Sequence, residues 1–214
     1  MILTQYIDII WKGEMYNMKS LAIEREFGSG GREVGMKVAE MAGIPYYDTN
    51  LLIKAAEKYG ISVGQILDYD EKWTGSLLYN LAMAANFTQG GEESPIYKIQ
   101  YGVRETIKKL AAKEPAVFIG RCATEILKDN KNVVRVYIYS SSEAKKISRV
   151  VETENVTAPE AKKLMEKKDK SRRNYFHFWT DKEWSDRRNY DMELNTGTLS
   201  SDVCANILFH AIEK

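Results

Sequence analysis

A short apolar run, Leu21–Ile23, leads straight into the glycine cluster Gly28-Ser29-Gly30-Gly31, and an amphipathic helical pattern over Glu33–Met41 follows at once. Few arrangements constrain a chain as much. Strand, glycine turn and helix N-terminus together build a loop whose backbone N–H groups curl around an anion, with the helix end adding partial positive charge. The spelling G-x-x-x-x-G-K-[ST] is nevertheless missing, and Gly31 stands where the lysine belongs. Arg32 and Arg25 are the local cations that can replace it, although a planar guanidinium fork has a different reach from an ammonium. Glu33, in the first helical turn, suits the helix dipole and is also the carboxylate that can take Mg²⁺. The alternative for the whole loop is a tight turn in which glycine only permits positive φ.

The rest of the chain supplies a frame for such a loop. Short apolar runs bounded by turn signals predict strands at Leu21–Glu24, Pro45–Tyr47, Ala116–Ile119, Val133–Tyr139 and Met192–Asn195. Helical patterns fall between them at Glu33–Ala42, Asn50–Lys58, Tyr97–Lys113, Ala123–Leu127, Ser142–Glu152 and Ala158–Phe178. Such alternation argues for an α/β fold, a parallel sheet covered by helices on both faces. Two stretches interrupt it: a soft insertion at about 61–96 and a long basic helix ending in aromatics at about 158–184. The chain therefore reads as an N-terminal extension over 1–18 and one domain over 19–214.

Composition removes some classes. With 214 residues and 44% hydrophobic content there is material for a sizeable core, and a net charge of +1 gives no global basic field for nucleic acid. The N-terminal apolar pattern Met1–Trp11 lacks a basic leader and is too short to span a bilayer, so no membrane partner is expected. Cys122 and Cys204 lie far apart and read as reduced thiols of a cytoplasmic protein.

Four further groups carry chemistry. Gly120-Arg121 ends the third strand, at the sheet edge where open α/β folds bind ligands, and Arg121 can fork onto a phosphate there. The run Lys167–Arg173 either faces solvent or closes over a nucleotide, because Arg172 and Arg173 adjoin the aromatics Tyr175–Trp179. Asp48 either positions an acceptor or holds Mg²⁺ through water, or else it or Thr49 caps the helix that follows. Asn195-Thr196-Gly197 either touches a purine or its ribose or merely connects the last strand to a helix capped by Ser200 or Ser201.

In order along the chain, IEREFGSGGREVG, IPYYD, VFIGRCA, KKDKSRRNYF and LNTG resemble the cytidylate kinase-like family, from roughly Lys19 to the C-terminus. The resemblance implies a three-layer P-loop kinase fold: a five-stranded parallel sheet of order 2-3-1-4-5 flanked by helices, with a helical NMP-binding insertion and a lid. It places Gly28, Ser29, Gly30, Gly31 and Arg32 at the phosphate loop, and Asp48 and Arg121 on the acceptor side. It puts Arg172 and Arg173 in the lid, and Asn195 and Thr196 beside the donor base. Cys122 stands where cytidylate kinases carry an aspartate, and the loop lysine is gone.

The function expected from this resemblance is a nucleotide or nucleoside kinase. It would use ATP and Mg²⁺ and move the γ-phosphoryl group to a nucleoside monophosphate or other small acceptor, with Arg32, Arg121, Arg172 and Arg173 as catalytic groups. The alternative is a non-catalytic nucleotide- or phosphate-binding protein with a degenerate loop. A third reading is an interaction protein, with oligomerisation through the N-terminal extension or the aromatic helix end.

Overall fold

A computed structural model describes residues 18–48, 50 and 95–214 of the chain. The expected extension, the helix over Asn50–Lys58 and the insertion at about 61–96 lie outside the described residues, except at their margins. We number the described elements in chain order. The strands are β1 (Ser20–Arg25), β2 (Tyr46–Tyr47), β3 (Val117–Ile119), β4 (Val133–Tyr139) and β5 (Met192–Asn195). The helices are α1 (Gly31–Ala42), α2 (Pro95–Lys113), α3 (Ala123–Ile126), α4 (Glu143–Glu154), α5 (Ala158–Thr180) and α6 (Ser201–Ile212).

The five strands form one sheet of order β2-β3-β1-β4-β5, every pair parallel. Alternation along β1 explains why both faces are covered. Leu21 and Ile23 point into a core shared with Val34 and Val38 of α1 and with Leu208 and Ile212 of α6. Ala22 points the other way, to Phe118, Val103 and Ile107, beneath α2 and α3. A strand with a side-chain period of two can bury both sets only between two helical layers. Parallel strands also bring all their C-terminal ends to one edge, so β1, β3, β4 and β5 deliver their following loops to one place.

Above that edge, α4 and α5 pack through Val150, Ala161 and Met165. The segment after α5 folds back and packs Trp184 and Tyr190 against Tyr137 of β4 and Phe176 of α5 as an aromatic plug. Pro159 in the first turn of α5, and a Glu160 carboxylate accepting the Thr157 backbone N–H at 2.8 Å, start that helix cleanly. Both cysteines are buried free thiols. No helix among the described residues is long and apolar enough to cross a membrane.

Candidate functional site

The loop between β1 and α1 owes its shape to two glycines. Gly28 and Gly30 have φ of 76° and 79°, a region that side-chain-bearing residues enter only at a cost. Buried Ser29 ties the turn from inside: its hydroxyl donates to the Glu26 carbonyl at 2.9 Å and accepts the Gly31 N–H at 3.3 Å. The Thr196 hydroxyl lies 2.7 Å from the Ser29 carbonyl oxygen and 3.0 Å from that of Tyr139, fixing the loop to the far strands. The backbone N–H groups of Gly28, Gly30, Arg32 and Glu33 make no hydrogen bond with another described residue. Orphan donors at a helix start, held by a rigid turn, form an anion nest.

Arg25, the last residue of β1, dominates the charge beside this nest. A Cβ on Gly31 would lie 2.6 Å from the Arg25 Cβ, and one on Gly120 would run into the Arg25 guanidinium. The Arg25 stem thus fills the space into which a residue-31 side chain would grow, and its charged end reaches the end of β3. Burial first, then the neighbouring Arg172 and Arg121, press its pKa down to about 9, against the opposing pull of Glu24 and Asp48. This cation is under-compensated, which is the condition an anionic ligand relieves.

Other groups complete the arrangement. Arg149 of α4 donates to the Gly28 carbonyl at 2.9 Å, and its guanidinium carbon would be 2.9 Å from a Cβ on Gly30. Arg172 of α5 donates to the Arg25 carbonyl at 2.9 Å and lies over the Phe27 ring. Asp169, one turn before it, accepts the Phe27 N–H at 2.6 Å and faces Lys146 at 3.4 Å. Lys146 also pairs with Glu26 at 3.0 Å. Burial raises the Asp169 pKa, opposed by the Phe27 N–H, Lys146 and Arg172. Glu24 is buried beneath the edge: one carboxylate oxygen takes the Trp184 indole N–H at 3.2 Å, and the other has no hydrogen-bond partner among the described residues. Burial raises its pKa too, against Arg25, Trp184 and Arg172.

The sequence-predicted residues divide. Gly28, Gly30, Gly31, Arg32, Glu33 and Arg172 line one opening of about 1020 Å³, which runs from the loop along α1 towards Tyr46. Arg32 does not turn to the nest. Its guanidinium pairs with buried Asp48 at 2.9 Å and is 59% exposed. Arg121 sits on three successive left-handed residues, Gly120, Arg121 and Cys122, which carry it over the Tyr175 ring at 5.4 Å. Glu33 pairs with Lys37 at 3.0 Å. Among the described residues no three His, Cys, Asp or Glu side chains gather into a metal cage. Arg173 is exposed on α5. Asn195 and Thr196 spend their polar groups within the protein, and Ser200 caps α6 by accepting the Val203 N–H at 3.2 Å.

Arg149, Lys146, Asp169 and Glu24 were not legible as site residues. A signal existed for Asp169, which lies one helical turn before Arg172 and so on the same face.

A glycine loop after the central strand of a 2-3-1-4-5 parallel sheet is the architecture of P-loop kinases. The sequence profile of the cytidylate kinase-like family matches residues 20–198. The chain belongs to that family. A crystal structure of an uncharacterized protein from Eubacterium ventriosum is 30% identical, with a TM-score of 0.70 over 92% of this chain and 99% of that one. Shikimate kinase from Bacteroides thetaiotaomicron shares the fold at 15% identity and a TM-score of 0.51, over 91% of this chain and 98% of that one. No curated protein matches the chain. Within this cytidylate kinase-like frame, the lysine position is closed by an arginine arriving from the strand.

Proposed function

We propose that the protein is an ATP-dependent phosphotransferase whose acceptor is a nucleoside monophosphate or another small phosphate acceptor. The observation that carries this reading is the half-buried Arg25 side chain, its stem against Gly31 and its guanidinium at Gly120, between the nest and the Arg121 turn. An acceptor oxygen attacks the γ-phosphorus as the bond to the β–γ bridging oxygen breaks, and ADP leaves with that electron pair. The protein's part is positioning and charge stabilisation. The N–H groups at Gly28, Gly30, Arg32 and Glu33 hold phosphate oxygens. Arg25 supplies the charge of the absent lysine, between donor and acceptor. Arg149 and Arg172 flank the chain of phosphates. Asp48 and Arg121 bound the acceptor side.

Mg²⁺ fits this site as a shared ligand, since it needs only one or two carboxylates beside phosphate oxygens and water. Glu33 lies in the wall of the opening, and Lys37 keeps a second partner in Asp202 at 2.6 Å when Glu33 turns away. The ion would screen charge between the phosphates.

The test is ATP consumption with Mg²⁺ across a panel of nucleosides and nucleoside monophosphates, cytidylate included. Turnover with one acceptor class supports the reading; ATP binding without turnover on any acceptor favours the alternative of a phosphate sensor. One observation speaks for that alternative. The Asp169 carboxylate already occupies the Phe27 N–H, as an internal anion does.

A further inference from the structure

Arg25 runs between two glycines from distant parts of the chain. Its stem lies against Gly31, where a Cβ would be 2.6 Å from the Arg25 Cβ and 3.1 Å from its Cγ. Its head lies against Gly120. The three heavy atoms nearest to a Cβ there would all belong to the Arg25 guanidinium: Nη1, then Cζ at 3.2 Å and Nη2 at 3.4 Å. Gly120 directly follows β3, and Arg25 ends β1 beside it, in the register set by Ile23 opposite Ile119.

Left-handed backbone does not by itself account for a glycine at position 120. Its φ is 81°, but Arg121 and Cys122 follow at 56° each and carry side chains in the same left-handed region. What sets Gly120 apart is the guanidinium that lies where its Cβ would be.

The backbone on either side is tied down. The Gly120 N–H donates to the Ile23 carbonyl at 2.8 Å, and the Gly120 carbonyl accepts the Ala123 N–H at 3.1 Å. The Arg25 carbonyl accepts an Arg172 N–H at 2.9 Å. The free end of a long side chain moves more easily than a bonded backbone, so a methyl at position 120 shifts the guanidinium and leaves the chain path in place.

We propose that Gly120 is a positioning residue that acts through Arg25, seating its guanidinium at the end of β3. The proposal rests on the phosphotransferase reading for what Arg25 does, and on the fit between positions 25 and 120 for its content. That fit separates arginine from lysine. Counted from Cα, a lysine nitrogen falls where arginine has Cζ, one bond short of Nη1. The Cζ position is 3.2 Å from a Cβ on residue 120, so a lysine at position 25 tolerates alanine there and arginine does not.

Calorimetry with ATP and Mg²⁺ on the parent, Gly120→Ala, Arg25→Lys and the double variant, with a melting curve for each, tests it. Gly120→Ala is expected to weaken ATP binding by about tenfold in the parent and by less than about threefold in the Arg25→Lys background, because the loss passes through the guanidinium. An equal loss in both backgrounds, or no loss in the parent, overturns the proposal and leaves the phosphotransferase reading standing. A Gly120→Ala protein that fails to fold supports the proposal if Arg25→Lys restores folding and overturns it if folding stays lost. The expected pattern with no ATP turnover on any acceptor supports the proposal and removes the phosphotransferase reading. A parent that binds no ATP removes both.

Discussion

Gly31→Lys, which restores the missing lysine on paper, is expected to abolish ATP binding, and Arg25→Gly combined with Gly31→Lys to recover it. The reason is steric before it is electrostatic. A Cβ at position 31 would sit 2.6 Å from the Arg25 Cβ and 3.3 Å from the Ile138 Cβ, so the lysine stem has no exit while Arg25 is present. Overpacking of this kind costs about 1–3 kcal/mol, and it falls on the loop that must hold the phosphates. Removing the arginine side chain vacates that space. The two positions then behave as one unit, and the double variant departs from the sum of its parts, as contacting sites do. Calorimetry with ATP and a melting curve on all four proteins of the cycle provide the check. A Gly31→Lys protein that binds ATP as well as the parent would defeat this account of the loop.

Arg25→Ala is expected to weaken ATP binding by about 100-fold, roughly what the loss of one or two charge-assisted contacts to an anion gives. Arg32→Ala is expected to change it by no more than about threefold, because exposed ion pairs contribute little. The contrast follows from where the structure puts the two guanidiniums. One stands half-buried beside the nest, and the other is held by Asp48 and mostly in water. Arg32→Ala should show its effect on the acceptor instead, by removing a guanidinium from beside Asp48. Dissociation constants for ATP and turnover against acceptor concentration separate the two sides. The opposite order of losses would return the lysine's role to Arg32. Melting curves keep a folding defect from being mistaken for lost binding.

The frame was legible because its determinants are local. Each of the five strands is a short apolar run with its own turn signals, and Leu21, Ala22 and Ile23 show the two-faced burial of a central parallel strand. The resemblance supplied the strand order, which the structure bears out. The loop was legible too, as glycines between strand and helix. What the sequence did not reveal is how its charges pair. Arg32 and Arg25 looked equivalent, because nothing local says that Asp48 captures one and burial claims the other. Arg149 reads as an ordinary polar residue of an amphipathic helix. It meets Gly28, 121 positions away, only because α4 leaves the neighbouring strand. Asp169 was hidden in a basic run that looks like a solvated face, yet its carboxylate reaches Phe27 across 142 residues. Long-range partnerships of this kind are set by topology.

The bond from Thr196 to the Ser29 carbonyl bears on how fast a ligand arrives. A loop fastened by the Thr196 hydroxyl to the turn after β5, and by the Glu26 N–H to the Ile138 carbonyl of β4, has little left to order when an anion enters. Preorganisation lowers the entropic charge on binding, and it also removes any slow rearrangement from the encounter. Association should then be limited by diffusion and by the guanidinium field. Differences between one phosphorylated ligand and another are carried by their residence times.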